Sequence, residues 1–315
     1  MPTVTCGGEF QFLEFLIFFV VFVVGLTSNV LFILLSCKEL VNLKGCPVLI
    51  YNGHLLHYSI ANLILLIRMP LDVISFTSGG SWFFGEHFCR LNFFVERAMY
   101  MAIANHILNL VRDAFTPYGY PNSPIHWRST WFVSLLFVCP LLFTTLEQTP
   151  EGCTRCTLID PSLGMMWMFQ WTEQVYVAIL PLLAIWFYHG KYVEHPDYEA
   201  LHKAGPDDVG GHVKMNLRSM CCALALTICL CTSPARLTEI SGGDFKLWPG
   251  HQIIFFFTPR LLIYGQTVIF IGVYAYHYPR FYQGAKIAAA RLWSCRTIPG
   301  KIVTGQDDDH KEPLS

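Results

Sequence analysis

Charged residues are scarce in this chain. Asp, Glu, Lys and Arg together make up 14% of its 315 residues, whereas an average soluble domain carries about 25%. The net charge is -1, so no basic excess attracts nucleic acid, and we expect no nucleic-acid partner. Hydrophobic residues reach 53% and the mean hydropathy is +0.43. A larger core cannot account for so few charges, and the composition predicts a protein embedded in the lipid bilayer.

Signatures of membrane transporters and enzymes are missing as well. The sequence contains no internal repeat and no Gly-X-Ser-X-Gly nucleophile motif, which argues against both classes. His54, His57 and His106 fall within predicted spans, but a metal site would need more converging His or carboxylate ligands. We expect these histidines to form hydrogen bonds between helices instead. The sequence therefore predicts neither an enzyme nor a cofactor or metal site.

Seven apolar segments are each long enough to cross a bilayer, which takes about 20 residues. The first is too long for a signal-peptide core and has no small-residue cleavage site after it. A further segment at 278–293 sets Phe281, Ile287 and Leu292 against Arg280, Lys286 and Arg291, as in a helix on the membrane surface. The sequence predicts an all-α membrane protein, a seven-transmembrane helix bundle with an amphipathic eighth helix. Its parts are an extracellular amino terminus (1–10), a bundle (10–277, with spans near 10–35, 47–75, 88–115, 129–146, 165–190, 214–240 and 251–277), the surface helix (278–293) and a tail (294–315).

The distribution of Lys and Arg predicts the orientation. With the amino terminus outside, fourteen of the 21 basic residues fall on the cytoplasmic side, and only Arg155 and Lys246 fall in outer loops. Cytoplasmic loops are the ones enriched in Lys and Arg. We expect a multi-pass plasma-membrane protein with an extracellular amino terminus and a cytoplasmic carboxyl terminus.

Four of the twelve cysteines, Cys6, Cys89, Cys153 and Cys156, fall on the predicted outer side, where disulfides persist. Four cysteines allow three pairings. Cys89, at the start of the third span, would brace the mouth of the bundle if it were joined to Cys153 or to Cys156. Cys295, just past the surface helix, is a candidate lipidation site.

Short motifs support this topology at the expected spacings. They are Gly25-Leu-Thr-Ser-Asn29, Ala61-Asn62-Leu63, Trp82-Phe-Phe-Gly85-Glu-His-Phe-Cys89, and the prolines Pro181 and Pro234 in the fifth and sixth spans. Together with the seven spans they resemble the class A (rhodopsin-like) G-protein-coupled receptors. The resemblance implies a ligand pocket in the outer half of the bundle and a heterotrimeric G protein as cytoplasmic partner.

The same resemblance identifies altered activation elements. The family's Asp-Arg-Tyr is Asp113-Ala114-Phe115 here, which implies a G-protein interface at Arg112, Asp113, Ala114 and Phe115 that lacks the usual arginine. The resemblance implies four activation-switch positions. Asn62 stands where the family has its sodium-site Asp, and Thr232 stands in place of the Trp two residues before Pro234. Tyr274 ends an Asn-Pro-X-X-Tyr motif whose Asn and Pro are Phe270 and Ile271 here. We expect coupling to be weakened.

Within this family, several segments resemble the hydroxycarboxylic-acid and oxo-eicosanoid receptors. They include Phe84 to Leu91, Phe169-Gln-Trp171-Thr-Glu173, and Tyr264-Gly-Gln266. The ligand-binding arginine of that subgroup's third helix falls at Tyr100, however, which is not basic. Chemokine-like receptors are the alternative, but their acidic anchor in the seventh helix falls at Arg260.

Four arginines, Arg68, Arg97, Arg236 and Arg260, fall in the outer halves of predicted spans, where a charge is costly unless it faces the interior. They either bind an anionic ligand or pair with Asp72, Glu96, Glu173 and Glu239. The sequence predicts a receptor for a small anionic carboxylate or lipid-derived acid; a chemokine-like or decoy receptor with little G-protein coupling is the alternative. The predicted ligand-binding residues are Arg236, Arg260, Tyr264, Arg97, Tyr100, Trp171 and Glu173.

Overall fold

A computed structural model describes nine stretches of the chain: residues 12–42, 48–78, 82–115, 125–139, 145–148, 154–157, 165–193, 209–240 and 252–278. They contain seven helical segments, as the sequence predicted, and the protein is an all-α seven-helix membrane bundle. The predicted amino-terminal segment, surface helix and tail lie outside the described residues, apart from Tyr278, and so do Cys6, Cys153 and Cys295.

The helices are numbered here in chain order. They are α1 (Phe12–Asn42), α2 (Val48–Thr77), α3 (Gly85–Phe115), α4 (Ile125–Val138), α5 (Met165–Gln174, a π-helical turn Val175–Ile179, then Leu180–Val193), α6 (Val209–Ile240) and α7 (Gln252–His277). Between α4 and α5, β1 (Thr145–Gln148) and β2 (Thr154–Thr157) form an antiparallel hairpin in which Leu146 is opposite Cys156.

Four stretches within the described residues are long and apolar enough to cross a membrane on their own. They are Phe12–Cys37, Gly53–Ser75, Met168–Gly190 and Leu217–Leu237, in α1, α2, α5 and α6. A shorter apolar stretch, Arg128–Val138, lies in α4. Helix α3 is not among the four, because its middle carries charged side chains that only the bundle interior can accommodate.

Helix α3 is the central element of the bundle. It starts at Gly85, whose φ of 78° lies in the left-handed region that a residue without Cβ adopts at little cost. The Nε1 of Trp82 donates to the Gly85 carbonyl at 2.9 Å and so fixes the entry into the helix. From Glu96 to Ile107 every side chain is buried. Helices α2, α4, α5 and α6 all pack against α3.

A polar contact joins α1, α2 and α7 in the middle of the bundle. The Nδ2 of Asn29 donates to the Gly25 carbonyl at 2.8 Å and to the Thr267 carbonyl at 3.2 Å. The hydroxyl of Ser59 donates to Asn29 Oδ1 at 2.9 Å. A Cβ on Gly25 would lie 3.0 Å from Leu66 and from Thr267. Glycine at position 25 is therefore what lets the three helices approach closely enough for these bonds.

The π-helical turn in α5 ends two residues before a proline, Pro181. Pro181 has no N–H to donate and its ring crowds the carbonyl four residues earlier, Val177. A local widening of the helix before Pro181 relieves this crowding. Contacts with neighbouring helices hold the turn in place, since Tyr176 donates to Asn105 on α3 and Gln174 Nε2 donates to Ser233 Oγ on α6 at 2.9 Å.

Candidate functional site

Helix α3 begins at one end of the bundle, where Cys89 is disulfide-bonded to Cys156 of β2 with their Cα atoms 5.7 Å apart. We call this the disulfide end. The sequence left the partner of Cys89 open between Cys153 and Cys156, and the structure selects Cys156. Cys89 is fully buried, and the bond holds the hairpin against the start of α3.

Below the disulfide end, α2, α3 and α7 contribute a buried group of charges. Arg68 Nη2 lies 2.9 Å from Asp72 Oδ1 and 2.9 Å from Glu96 Oε2. Arg260 Nη1 lies 2.8 Å from Glu96 Oε1 and 3.7 Å from Asp72 Oδ2. The hydroxyl of Tyr264 donates to Asp72 Oδ2 at 2.6 Å. Two guanidinium groups and two carboxylates thus form a charge-balanced first group.

A second group is formed by side chains from α3, α5 and α6. Arg97 Nη1 donates to Glu173 Oε2 at 2.7 Å, and Arg236 Nη2 lies 3.6 Å from Glu173 Oε1. The relative exposures of Arg97, Glu173 and Arg236 are 1%, 0% and 3%. Two guanidinium groups therefore share one carboxylate among the described side chains.

Tyr100 connects the two groups. Its hydroxyl donates to Glu96 Oε1 at 3.4 Å in the first group. The guanidinium carbon of Arg236, in the second, lies 4.6 Å from the centre of the Tyr100 ring, a cation–π contact. The result is one buried network with side chains from α2, α3, α5, α6 and α7.

The four arginines thus pair with carboxylates, one of the two outcomes that the sequence left open. Asp72, Glu96 and Glu173 are the partners, while the side chain of Glu239 lies outside the described residues. Pairing does not disqualify a binding site, because guanidinium groups already dehydrated by the fold are ready to bind another anion bidentately. The described members of the network carry four positive and three negative charges.

Six of the seven predicted ligand-binding residues meet in this network. Trp171 does not: it is 37% exposed, whereas Glu173, two positions later, is fully buried. Residues two apart on a helix point to different faces, and the part of Trp171 in a ligand pocket stays a prediction. The sequence reading missed Asn92, whose Oδ1 accepts from Arg68 Nε at 2.7 Å. Asn92 could have been predicted from the sequence, because it lies one helical turn before Glu96 and so on the same face of α3.

At the opposite end of the bundle lie the predicted G-protein contacts. Arg112 pairs with Asp113 at 3.2 Å, and Ala114 is 1% exposed. Arg218 of α6 donates through Nε to the Ala114 carbonyl at 3.0 Å, and its guanidinium lies 5.4 Å from the centre of the Phe115 ring. The last carbonyls of a helix lack partners within it and attract cations. Arg218 was not predicted, and it brings a positive charge from α6 to the position where α3 has alanine.

The histidines form interhelical contacts, as predicted. His54 Nδ1 and His106 Nδ1 lie 3.3 Å apart, and Trp131 Nε1 donates to His57 Nδ1 at 3.2 Å. The rings of His57 and His106 stack at 5.4 Å, and His54 Nε2 lies 3.6 Å from Asp113 Oδ2. Across the part of the chain that the structure describes, no group of three or more His, Cys, Asp or Glu side chains could hold a metal ion.

The expected switch positions are buried or lie inside helices. Asn62 and Thr232 are fully buried, and the Thr232 hydroxyl donates to the Ile228 carbonyl of its own helix at 2.7 Å. Pro234 lies inside α6, and Tyr274 packs edge-on against Phe32 of α1 with ring centres 4.8 Å apart. Their role as switches stays a prediction.

Comparison with known proteins finds relatives over part of the chain. No protein-family model matches the chain. It is similar to proteinase-activated receptor 1 of Xenopus laevis (29% identity over 143 residues, 42% of this chain and 32% of the relative) and of Homo sapiens (28% over 151 residues, 43% and 34%). It is also similar to human C-C chemokine receptor type 7 (23% over 150 residues, 43% and 39%). The chain thus spans about a third of the length of the curated relatives it matches.

These relatives and the helical bundle support a class A G-protein-coupled receptor, a multi-pass protein of the cell surface. Receptors of this kind are generally not enzymes. The similarity gives no support to the hydroxycarboxylic-acid subgroup that the motifs resembled, since the matches are a proteinase-activated receptor and a chemokine receptor.

Proposed function

We propose that this receptor senses a small extracellular anion, a carboxylate or lipid-derived acid, through the buried network below its disulfide end. The observation that carries the proposal is the convergence of four arginines from α2, α3, α6 and α7 on three carboxylates. Because the network is buried, it favours an anion that forms short, well-aligned hydrogen bonds with the guanidinium groups.

The proposed orientation puts the disulfide end outside the cell. Two observations support it: disulfides persist in oxidising compartments, and lysines and arginines are concentrated in the loops assigned to the cytoplasm. A ligand then enters from the end of the bundle that the hairpin braces. Arg236 and Arg260 are the leading candidates to hold it, because they lie on α6 and α7 and Tyr100 links their two groups.

Signalling in this proposal is a shift between two packings of the bundle. A ligand that pairs with Arg236 on α6 and Arg260 on α7 competes with carboxylates on α2, α3 and α5. Binding therefore favours an arrangement in which α6 and α7 have moved relative to α3. A ligand shifts such an equilibrium only by its difference in affinity for the two states.

A decoy or chemokine-like receptor is the second candidate, and one observation favours it. Ala114 replaces the arginine through which related receptors engage a G protein, and its side chain is buried. In that case the heterotrimeric G protein is a weak partner or none, and the receptor binds its ligand without a strong signal. The similarity to a chemokine receptor is consistent with this alternative.

The experiment is to express the full chain and measure cAMP and calcium responses, and ligand binding, with a panel of small carboxylates and their uncharged amides. Replacing Arg236 or Arg260 with Ala is expected to cost about 2–5 kcal/mol in binding, because a desolvated partner charge is left unpaired. Arg90→Ala, in a half-exposed pair with Glu86, is the matched control. Unchanged affinity in Arg236→Gln and Arg260→Gln would contradict the anion site. Binding without any response would favour the decoy.

A further inference from the structure

One side chain of α3, Tyr100, is linked to both arginines of the proposed ligand pair. Its hydroxyl donates to Glu96 Oε1 at 3.4 Å, and the same oxygen accepts from Arg260 Nη1 at 2.8 Å. The guanidinium carbon of Arg236 lies 4.6 Å from the centre of the Tyr100 ring. Tyr100 is fully buried, so both contacts are made away from water. It therefore touches Arg236 directly and reaches Arg260 through a single oxygen atom.

Arg260 is the more accessible of the two arginines that bind Glu96. Its side chain is 21% exposed, whereas the side chain of Arg68 is 5% exposed. Arg68 Nη2 holds the other oxygen of the same carboxylate, Oε2, at 2.9 Å. If Arg260 turned toward an incoming anion, Glu96 would keep Arg68 as a partner and would lose a donor only at Oε1.

The Tyr100 hydroxyl is placed to compensate for that loss. A buried carboxylate oxygen that loses a charged donor is destabilised unless another donor takes its place. The hydroxyl is directed at Oε1, but at 3.4 Å its bond is longer than the usual range of about 2.5–3.0 Å for O–H···O bonds. It has room to shorten once Arg260 has left the oxygen. The Tyr100 ring meanwhile stays against Arg236, because a cation–π contact does not involve the hydroxyl.

We propose that Tyr100 is a positioning residue that lets Arg260 exchange Glu96 for the anionic ligand. Its hydroxyl replaces Arg260 at Glu96 Oε1, and its ring holds the Arg236 guanidinium group for the same anion. The inference rests on the proposed function and keeps its ligand pair, Arg236 and Arg260. It adds that Tyr100 sets the affinity by acting through Glu96 and Arg236.

The test uses the purified full chain in nanodiscs, with thermal unfolding measured during titration with octanoate, and with octanamide as the uncharged control probe. Tyr100→Phe keeps the ring and removes the hydroxyl. It is expected to raise the half-maximal octanoate concentration about tenfold, as the loss of a hydrogen bond to a charged group would. Tyr176→Phe is the matched control, because it removes a hydroxyl that joins α5 to Asn105 of α3 outside the network. It should lower the unfolding temperature without changing the half-maximal octanoate concentration.

Combined variants separate positioning from a structural role. Glu96→Gln removes the charge that competes for Arg260, so it is expected to lower the half-maximal octanoate concentration. Adding Tyr100→Phe to Glu96→Gln should then have little further effect, because the step that the hydroxyl assists is gone. Tyr100→Leu removes the ring as well and should weaken octanoate binding beyond Tyr100→Phe, because Arg236 loses its cation–π partner.

The outcomes distinguish this inference from the proposed function. An equal effect of Tyr100→Phe with and without Glu96→Gln, or no effect in the unmodified chain, overturns the role of the hydroxyl and leaves the anion site standing. Equal octanoate affinity of Tyr100→Phe and Tyr100→Leu refutes the role of the ring. If Tyr100→Phe does not fold, Glu96→Gln alone tests the exchange, and the absence of a gain in affinity contradicts it. If octanoate stabilises the unmodified chain no more than octanamide does, the proposed function itself fails.

Discussion

All three nitrogens of the Arg68 guanidinium group donate hydrogen bonds. Their acceptors lie on α3, on α7 and on α2, the helix that carries Arg68. Nε donates to Asn92, Nη1 to Tyr264 at 3.3 Å, and Nη2 to Asp72, with Glu96 also in range. A buried ion pair of this kind is not in itself a large source of stability, because dehydration offsets the attraction. Removing one partner is costly, since the charges that remain are buried and uncompensated.

Arg68→Ala is therefore expected to lower the free energy of unfolding by about 3–5 kcal/mol, because it leaves Asp72 and Glu96 with less compensation. The measurement is thermal or denaturant unfolding of the purified protein. Arg90→Ala should cost only about 0–1 kcal/mol, because the Arg90–Glu86 pair is screened by solvent. Equal losses in the two variants would show that Arg68 is not the centre of a buried network.

The Cys89–Cys156 disulfide closes a loop of 67 residues between α3 and β2. Cys89→Ser and Cys156→Ser should each abolish surface expression. Loss of such a disulfide lowers the free energy of unfolding by about 2–5 kcal/mol, and Cys89 lies at a buried position. Surface labelling of intact cells measures this effect. Cys37→Ser, at an exposed free cysteine, is the control and should express normally. Mass spectrometry that finds a free thiol at Cys89 in folded protein would refute the prediction.

For single residues, the sequence predicted which charged side chains face the interior of the bundle. It did not predict which carboxylate each arginine contacts. A charge within a span must face the bundle, so Arg97, Arg236 and Arg260 could be identified without coordinates. Their partners could not be assigned. Arg260 pairs with Glu96, 164 residues earlier, and that choice depends on how α3 and α7 pack. The role of Trp171 stays a prediction, because the sequence motif around Glu173 does not define the rotation of α5.

Among the helices, the close approach of α1 to α2 and α7 depends on one position. Gly25→Ala adds a methyl group 3.0 Å from Leu66 and from Thr267, and is expected to cost about 1–3 kcal/mol by overpacking. Thermal unfolding measures the loss. Gly272→Ala on α7 is the matched control, because its Cβ would meet nothing within 4 Å. A Gly25→Ala variant as stable as Gly272→Ala would mean that α1 can shift outward freely.

The number and order of the spans were predicted, because about 20 apolar residues in a row leave few alternatives. The fourth span was expected at 129–146 and is wrong at its end, since the helix stops at Val138 and Thr145–Gln148 form β1. The irregularity in α5 was not predicted. A span was expected at 165–190, and the helix runs from Met165 to Val193, but the π-helical turn at Val175–Ile179 interrupts it. Pro181 gave a partial signal. The position of the turn also depends on contacts such as Tyr176 with Asn105, which a single sequence does not reveal.

For the whole molecule, the two ends of α3 differ in a way that bears on signalling. The disulfide end carries the charged network, whereas at the opposite end Arg218 of α6 binds the Ala114 carbonyl of α3. This contact joins α3 and α6 at the end of the bundle opposite the disulfide.

Nucleotide exchange on a reconstituted heterotrimeric G protein is therefore expected to be weak, both without ligand and with it. Ala114 cannot form the charge-assisted contacts of an arginine. The measurement is GTPγS uptake with the purified chain, compared with a related receptor that retains the arginine. Robust exchange by the unmodified chain would contradict the prediction. If that exchange were lost in Arg218→Ala, the guanidinium of α6 would be the group that engages the G protein.

The pairing of Arg68 with Glu96 also bears on how the chain enters the membrane during synthesis. Helix α3 is not apolar enough to partition alone, and Glu96 and Arg97 are adjacent within it. Charges near the centre of a lone helix cost about 2.5–3.5 kcal/mol each on insertion scales. Helix α2 is made first, can insert unaided, and presents Arg68 and Asp72. We therefore expect α3 to enter the membrane together with α2, because Arg68 of α2 can offset the charge of Glu96, and loss of that ion pair would then affect every later segment.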